Sequence, residues 1–132
     1  WRRLGGPPPF RSLANVLADV ETHLRRRVWL PDDGSYVVVA CFVAMTFCYQ
    51  LFPALPVLLV VGPAASGKSE LGEAVAMIGQ NAVLAGQLRA AGLVRLLDET
   101  SGLLVLDDMD GTGPASIDGD GEVAMALKTG YK

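Results

Sequence analysis

The sequence predicts an α/β fold in which helices cover a mostly parallel sheet in three layers. Residues 56–61 and 103–106 are short apolar runs, typical of strands buried on both faces of a parallel sheet. A glycine-bounded loop and then a helical pattern follow the first run. The second run ends in two acids, and carboxyl ends of parallel strands share one edge of a sheet. These observations predict a site at that edge.

Length limits the chain to a single core. Its 132 residues suffice for one compact core and are too few for two ordinary domains. It begins at Trp1 and ends at Lys132 just after a helical pattern, so we expect a segment of a longer polypeptide. We expect residues 1–54 to form an N-terminal linker and helical segment that packs on the core. Residues 55–132 are expected to form a truncated α/β core.

The N-terminal region is predicted to contain a linker and an amphipathic helix. Residues 1–10 include a Gly-Gly-Pro-Pro-Pro run that favours no regular element. Apolar residues recur at helical spacing over residues 12–28, with Ser12 as the N-cap, and residues 31–34 are typical of a turn. With a net charge of −3, the arginines at 25–27 are interpreted as a solvated face near the helix C-terminus rather than as a DNA contact.

A nearly continuous apolar stretch occupies residues 36–52. It is short for a membrane span of about 20 residues and has polar residues within it, so we predict a buried helix and no membrane association. Its helical spacing places Cys41 and Cys48 too far apart for a disulfide. We therefore expect two core thiols and a reducing, cytoplasmic environment.

The loop after the first apolar run has the Walker A pattern G-x-x-x-x-G-K-[ST], which binds nucleotide phosphates. Glycines allow successive backbone N–H groups to surround an anion at a helix N-terminus. Lys68 is expected to reach the β and γ phosphates, and the Ser69 hydroxyl to bind Mg²⁺. Leu71, Ala74, Val75 and Ile78 mark the apolar face of the following helix. The predicted cradle comprises Gly62, Pro63, Ala64, Ala65, Ser66, Gly67, Lys68 and Ser69.

The second apolar run, followed by Asp107 and Asp108, has the Walker B pattern. A short strand at 81–85 and a helix at 87–99 are predicted between the two motifs. Asp107 would face the phosphate loop across the sheet edge and hold Mg²⁺ opposite Ser69, while Asp108 would orient or deprotonate an attacking water. In isolation an acid pair after a strand is more typical of a helix cap or a turn, and its position downstream of a phosphate loop favours the Walker B interpretation.

The glycine- and aspartate-rich sequence after residue 107 raises the alternative of a calcium loop. The EF-hand pattern does not align with it at any starting position, so we interpret it as a solvated loop. A helix is expected to begin at residues 123–127 and to end at Gly130.

These segments resemble the ATPase core of P-loop proteins of the AAA+ and helicase type. The similarity is greatest with ATPases encoded beside primases and replication genes of phages, plasmids and integrated elements. It covers residues 12–132, of which only the Walker A and Walker B motifs are specific. The shared segments are a helix, an apolar helix, LPVLLVVGPAASGKSEL, NAVLAG, LVRLLDE and GLLVLDD.

The resemblance implies ATP hydrolysis with Mg²⁺, with phosphate binding by residues 62–69, metal binding by Ser69 and Asp107, and water activation by Asp108. It also implies a helicase or replication-associated protein that acts on DNA and forms a homo-oligomeric ring through regions outside this segment. Two departures stand out. Asp108 replaces the Glu that many such ATPases carry, and the chain ends before the sensor, arginine finger and lid.

Two other functions remain open on the sequence. A P-loop kinase would use the same cradle to transfer the γ-phosphate to a small molecule or nucleotide, although adjacent acids on an apolar strand argue against it. A catalytically weak regulatory module would bind nucleotide with little turnover, and Asp108 is the one feature that favours it. A GTPase is disfavoured because no Asn-Lys-x-Asp motif occurs.

Overall fold

A computed structural model describes residues 10–86, 95–96 and 101–107 of the chain. Residues 10–86 and 101–107 form three α-helices, one 3₁₀ turn and two short strands, and residues 95–96 are helical. The elements are α1 (Leu13–Arg25), α2 (Asp33–Thr46), the 3₁₀ turn (Tyr49–Leu51), α3 (Lys68–Ala76), β1 (Val83–Ala85) and β2 (Leu104–Leu106).

Helix α1 lies within the helix predicted at 12–28. The Ser12 hydroxyl caps it by accepting a hydrogen bond from the Asn15 backbone N–H at 3.3 Å. Two arginines at its C-terminal end pair with acids of this chain: Arg25 contacts Asp33 at 2.7 Å, and Arg27 contacts Glu70 at 3.4 Å. These arginines therefore tie α1 to α2 and α3.

Helix α2 is shorter than predicted and begins inside the predicted turn. Asp32 caps it, because its carboxylate accepts a hydrogen bond from the Ser35 N–H at 2.8 Å. It ends at Thr46 rather than at residue 52, and only one face is buried, since Val38 on the other face is 58% exposed. The predicted buried helix is thus buried along one face only. Cys41 is exposed rather than a core thiol, because it lies on that outer face.

The described residues include no helix that is both long enough and apolar enough to cross a lipid bilayer. The apolar content of α2 is instead used to pack against α1, whose apolar face it meets along one side. Tyr36 fixes this pairing, since its hydroxyl donates to the Val28 carbonyl at 3.0 Å and accepts from the Leu30 N–H at 2.8 Å.

One hydrophobic cluster joins the three helices. Helix α3 contacts α1 on one side and both strands on the other, so it connects the helical pair to the sheet. The predicted apolar face of α3 is largely buried, although Ile78 lies just beyond the helix end and is half-buried. The buried members are Leu24, Val28, Tyr36, Val39, Val43, Leu71, Ala74 and Val75.

The two strands form a parallel pair. Val83 is in register with Leu104, and Ala85 with Leu106. The ladder continues past the end of β2, where the Asp107 N–H donates to the Ala85 carbonyl at 2.9 Å. A parallel pair needs a long crossover, and the residues between β1 and β2 supply its length.

The prediction of a buried strand at residues 56–61 is wrong. The structure assigns no strand there, and Leu59 and Val61 are 73% and 83% exposed, while Leu58 packs against the core. A strand requires a neighbour for its backbone hydrogen bonds. Among the described residues, β1 and β2 pair only with each other.

Several predictions fall on residues that the structure does not describe. These are most of the linker at 1–10, the helix at 87–99 apart from residues 95–96, Asp108, and everything after it. The three-layer arrangement and the boundary between residues 54 and 55 stay predictions.

Candidate functional site

The phosphate-loop sequence forms a tight, exposed turn that leads directly into α3. Gly67 adopts φ +85°, a left-handed conformation that costs a residue with a Cβ, and α3 begins at the next residue. At Gly62 a Cβ would lie only 2.8 Å from the Ser66 hydroxyl, so the start and end of the loop approach closely. Gly67 is thus required by the backbone conformation of the turn, whereas a Cβ at Gly62 would require the Ser66 hydroxyl to move.

Lys68 spans this loop from its C-terminal end. Its ammonium group donates to the Gly62 carbonyl at 2.9 Å and to the Pro63 carbonyl at 2.7 Å. An ammonium has three N–H donors, so these two bonds leave a third available to a ligand. The loop therefore holds one positive charge close to its own backbone, at a helix N-terminus whose dipole also favours anions.

Ser69 and Asp107 meet although they belong to different motifs. The Ser69 hydroxyl donates to a carboxylate oxygen of Asp107 at 3.0 Å, across 38 positions of sequence. This contact arises because α3 packs over the strands and places its first turn at the carboxyl edge of β2. The structure thus brings together the side chains that the two motifs identified separately.

The Ser69–Asp107 spacing can be compared with the requirements of Mg²⁺. Adjacent oxygens of an octahedral Mg²⁺ site, each roughly 2.1 Å from the ion, are separated by about 3 Å. The observed oxygen–oxygen distance is 3.0 Å. Both are hard oxygen donors, and Mg²⁺ bound with a nucleotide needs only one or two protein ligands. The residues present therefore fit the ion.

No group of three or more His, Cys, Asp and Glu side chains in the described ranges could hold a metal. A site built entirely from protein ligands, such as a structural zinc site, is accordingly not seen in that part of the chain. This is compatible with a Mg²⁺ ion that takes its remaining ligands from phosphates and water.

Sequence patterns missed the contacts that hold α3 in place. The His23 Nε2 atom lies 3.2 Å from the Ala74 carbonyl, and Arg27 reaches Glu70 in the first turn of α3. A carbonyl can only accept, so in this hydrogen bond the Nε2 N–H of His23 is the donor. Glu70 follows Ser69 directly, so α1 contacts the turn that presents the predicted site. No local pattern links residues so distant in sequence.

The predicted site residues divide into two groups. Residues 62–69 and Asp107 are described and lie together at one edge of the sheet. Asp108 lies outside the described residues. Comparisons with protein-family models, with curated proteins and with solved structures found no match to this chain.

Proposed function

We propose that this chain binds Mg-ATP and, as part of a P-loop ATPase, hydrolyses it. The observation that carries the proposal is the 3.0 Å contact between Ser69 and Asp107. A glycine loop or an acid after a strand is common on its own, but their meeting at a helix N-terminus is what a Mg-nucleotide site requires.

Each residue of the site has a distinct role in this proposal. The third N–H donor of Lys68 and the backbone N–H groups of the loop bind phosphate oxygens. Ser69 and Asp107 would hold Mg²⁺, which would supply positive charge beside the phosphates. Asp108 orients the attacking water or accepts its proton. Its carboxylate reaches less far than that of Glu, which favours slow turnover.

The wider biological role is proposed on the resemblance alone. It comprises a cytoplasmic protein of the helicase or replication type that acts on DNA as a homo-oligomeric ring. The structure provides a reason to look for the DNA contact away from α1. Arg25 and Arg27 are already paired with Asp33 and Glu70, so a DNA contact there would have to break those ion pairs.

The hydroxyl at position 69 allows a matched test of metal-dependent binding. Ser69→Ala removes the Mg²⁺ ligand and the bond to Asp107, while Ser69→Thr keeps the hydroxyl and also satisfies the motif. We expect Ser69→Ala to weaken Mg-ATP binding about 10- to 100-fold in calorimetry, since a hydrogen bond to a charged group contributes roughly 1.5–3 kcal/mol. Ser69→Thr should bind within about threefold of the original chain.

Equal Mg-ATP affinity of the Ala and Thr variants would contradict the proposed site. Turnover is measured separately, as phosphate release with and without single-stranded DNA, with Lys68→Ala and Asp107→Ala expected to fall to background. Phosphate transfer to a small acceptor in preference to water would select the kinase. Mg-ATP binding without turnover under either condition would select the regulatory module.

A further inference from the structure

An ion pair connects the turn that closes α1 with the first turn of α3. The Arg27 guanidinium lies 3.4 Å from a carboxylate oxygen of Glu70, and Glu70 directly follows Ser69 of the proposed site. Within the described part of the chain, this is the one hydrogen bond that the Glu70 carboxylate makes. The pair therefore joins α1 to the turn that is proposed to bind phosphate and Mg²⁺.

Buried neighbours hold the backbone on both sides of this pair. Val28 follows Arg27 and Leu71 follows Glu70, and both Val28 and Leu71 are buried in the core. The Arg27 N–H also donates to the Leu24 carbonyl at 3.0 Å, in the turn that closes α1. Because the two backbones are already in place, formation of the ion pair requires only the two side chains to be ordered.

A second contact between α1 and α3 shows how the two helices run. His23 lies one turn before Arg27, and its Nε2 N–H donates to the Ala74 carbonyl at 3.2 Å, one turn after Glu70. The order of the two contacts is reversed between the helices, so α1 and α3 run antiparallel where they meet. The end of α1 therefore lies beside the start of α3, which follows the phosphate loop.

The start of α3 has backbone donors that an anion can use. The first hydrogen bond of the helix runs from the Leu71 N–H to the Gly67 carbonyl at 3.0 Å, so the N–H groups of residues 68–70 precede it. Gly67 stands at the N-cap and has no side chain that could cap the helix. These N–H groups are among the donors that a phosphate would use in the proposed function.

Glu70 is itself an anion in the right position to occupy these donors. It is the acid in the first turn of α3, at the third residue of the helix. A Glu at this position commonly turns back toward the N–H groups at the start of its helix. The positive end of the helix dipole also attracts its negative charge. An unrestrained Glu70 carboxylate would therefore compete with phosphate for the same donors.

We propose that Arg27 is a positioning residue, which holds the Glu70 carboxylate against α1 and so keeps the phosphate-binding donors of α3 accessible. The inference rests on the proposed function for the identity of the ligand, Mg-ATP. It adds to that function a restraint from α1, which lies outside both sequence motifs. Arg27 acts through Glu70 and does not itself contact the nucleotide.

Calorimetric titration with Mg-ATP measures the effect on the site. Arg27→Ala should lower the affinity about three- to fivefold, near the upper end for exposed charge pairs, because the two helices already hold this pair in place. Arg27→Lys keeps the charge and should lower the affinity by less than about twofold. Arg26→Ala is the matched control, since Arg26 is exposed and forms no ion pair with the other described residues. It should bind within about 1.5-fold of the original chain, because an exposed, unpaired charge is screened by salt.

Removal of Glu70 distinguishes positioning from a purely structural role. Glu70→Ala removes the competing carboxylate, so Arg27→Ala added to it should change the Mg-ATP affinity by less than about 1.5-fold. A purely structural role for Arg27 would instead weaken binding by the same factor with or without Glu70. Circular dichroism and thermal unfolding check that each variant is folded.

Backbone amide shifts recorded by NMR without nucleotide provide a readout that does not depend on ATP. In Arg27→Ala, the released carboxylate should move amide proton signals of residues 67–69 downfield through new charge-assisted hydrogen bonds. Addition of Glu70→Ala should abolish this shift. If the original chain fails to bind Mg-ATP, the proposed function is wrong, whereas the amide shifts still decide whether Arg27 restrains Glu70.

Two results would overturn the proposal. One is an equal loss of Mg-ATP affinity from Arg27→Ala with and without Glu70, because Arg27 would then act on the nucleotide directly or through the fold. The other is the absence of any shift at the amides of residues 67–69 in Arg27→Ala, because Glu70 would then stay away from these donors without help from Arg27.

Discussion

The buried Thr46 hydroxyl offers a direct test of how the helical part is joined to the sheet. Thr46 is 6% exposed, and its hydroxyl donates to the Val43 carbonyl at 2.6 Å while it accepts from the Gln80 N–H. The Phe47 N–H, at the C-cap, bonds to the Ala44 carbonyl at 3.2 Å, so the last turn of α2 is tightened. The Thr46 hydroxyl therefore gives the Val43 carbonyl a short hydrogen bond at the end of α2.

Replacing Thr46 by Val keeps the shape of the side chain and removes the hydroxyl. It leaves the Val43 carbonyl and the Gln80 N–H without this partner. An unsatisfied buried polar group costs about 1–3 kcal/mol, and water can partly satisfy Gln80 because it is only half-buried. We therefore expect Thr46→Val to lower the free energy of unfolding by about 1–3 kcal/mol in total.

Urea denaturation followed by circular dichroism measures this loss. With a slope of about 1–3 kcal/mol per molar urea, the midpoint should fall by roughly 1 M. Thr46→Ser is the matched control, because it retains the hydroxyl and loses one methyl group, worth roughly 1 kcal/mol. Thr46→Val as stable as the original chain, or less destabilising than Thr46→Ser, would refute the role assigned to the hydroxyl.

Three further predictions concern other contacts of the fold. His23→Leu should lower the free energy of unfolding by about 1–3 kcal/mol, because it removes the hydrogen-bond donor to the carbonyl of the fully buried Ala74. His23→Gln retains a donor, so the same denaturation assay should show a smaller loss. The hydrogen bonds from Ser35 lower the pKa of Asp32 in the folded chain. The ionised carboxylate therefore contributes its full stabilisation of the fold at neutral pH. This contribution is lost as the pH falls below 3.8, the ordinary pKa, and through the lower pKa of the folded state. Asp32→Asn should reduce that acid sensitivity in a pH series of thermal unfolding. Leu59→Lys should change the free energy of unfolding by less than about 0.5 kcal/mol, since Leu59 is 73% exposed. A loss of several kcal/mol would instead support the buried strand that the sequence predicts at residues 56–61.

Local chemistry made parts of this structure predictable. Ser12 caps α1, and Gly67 allows the turn from which α3 starts, because each acts through backbone groups within a few residues of itself. The predicted strands at residues 81–85 and 103–106 are present as β1 and β2 for a similar reason, since their β-branched and apolar residues suit a half-buried pleated surface.

Burial was less predictable, because it depends on which other elements cover a segment. Residues 56–61 are as apolar as a buried strand, yet Leu59 and Val61 are exposed because no described strand lies beside them. Cys41 likewise faces outward, since α1 covers only one side of α2. A run of apolar residues shows a preference for burial, but the tertiary structure decides which residues obtain it.

The sequence by itself determined the phosphate-loop motif, its position before a helix, and the acids that follow the second apolar run. Only the tertiary structure brought Ser69 within 3.0 Å of Asp107 and set His23 against the end of α3. The physical reason is the distance along the sequence over which each kind of interaction acts. A motif acts through neighbouring backbone groups, whereas these contacts join residues far apart in sequence and exist only once α3 has packed between α1 and the sheet.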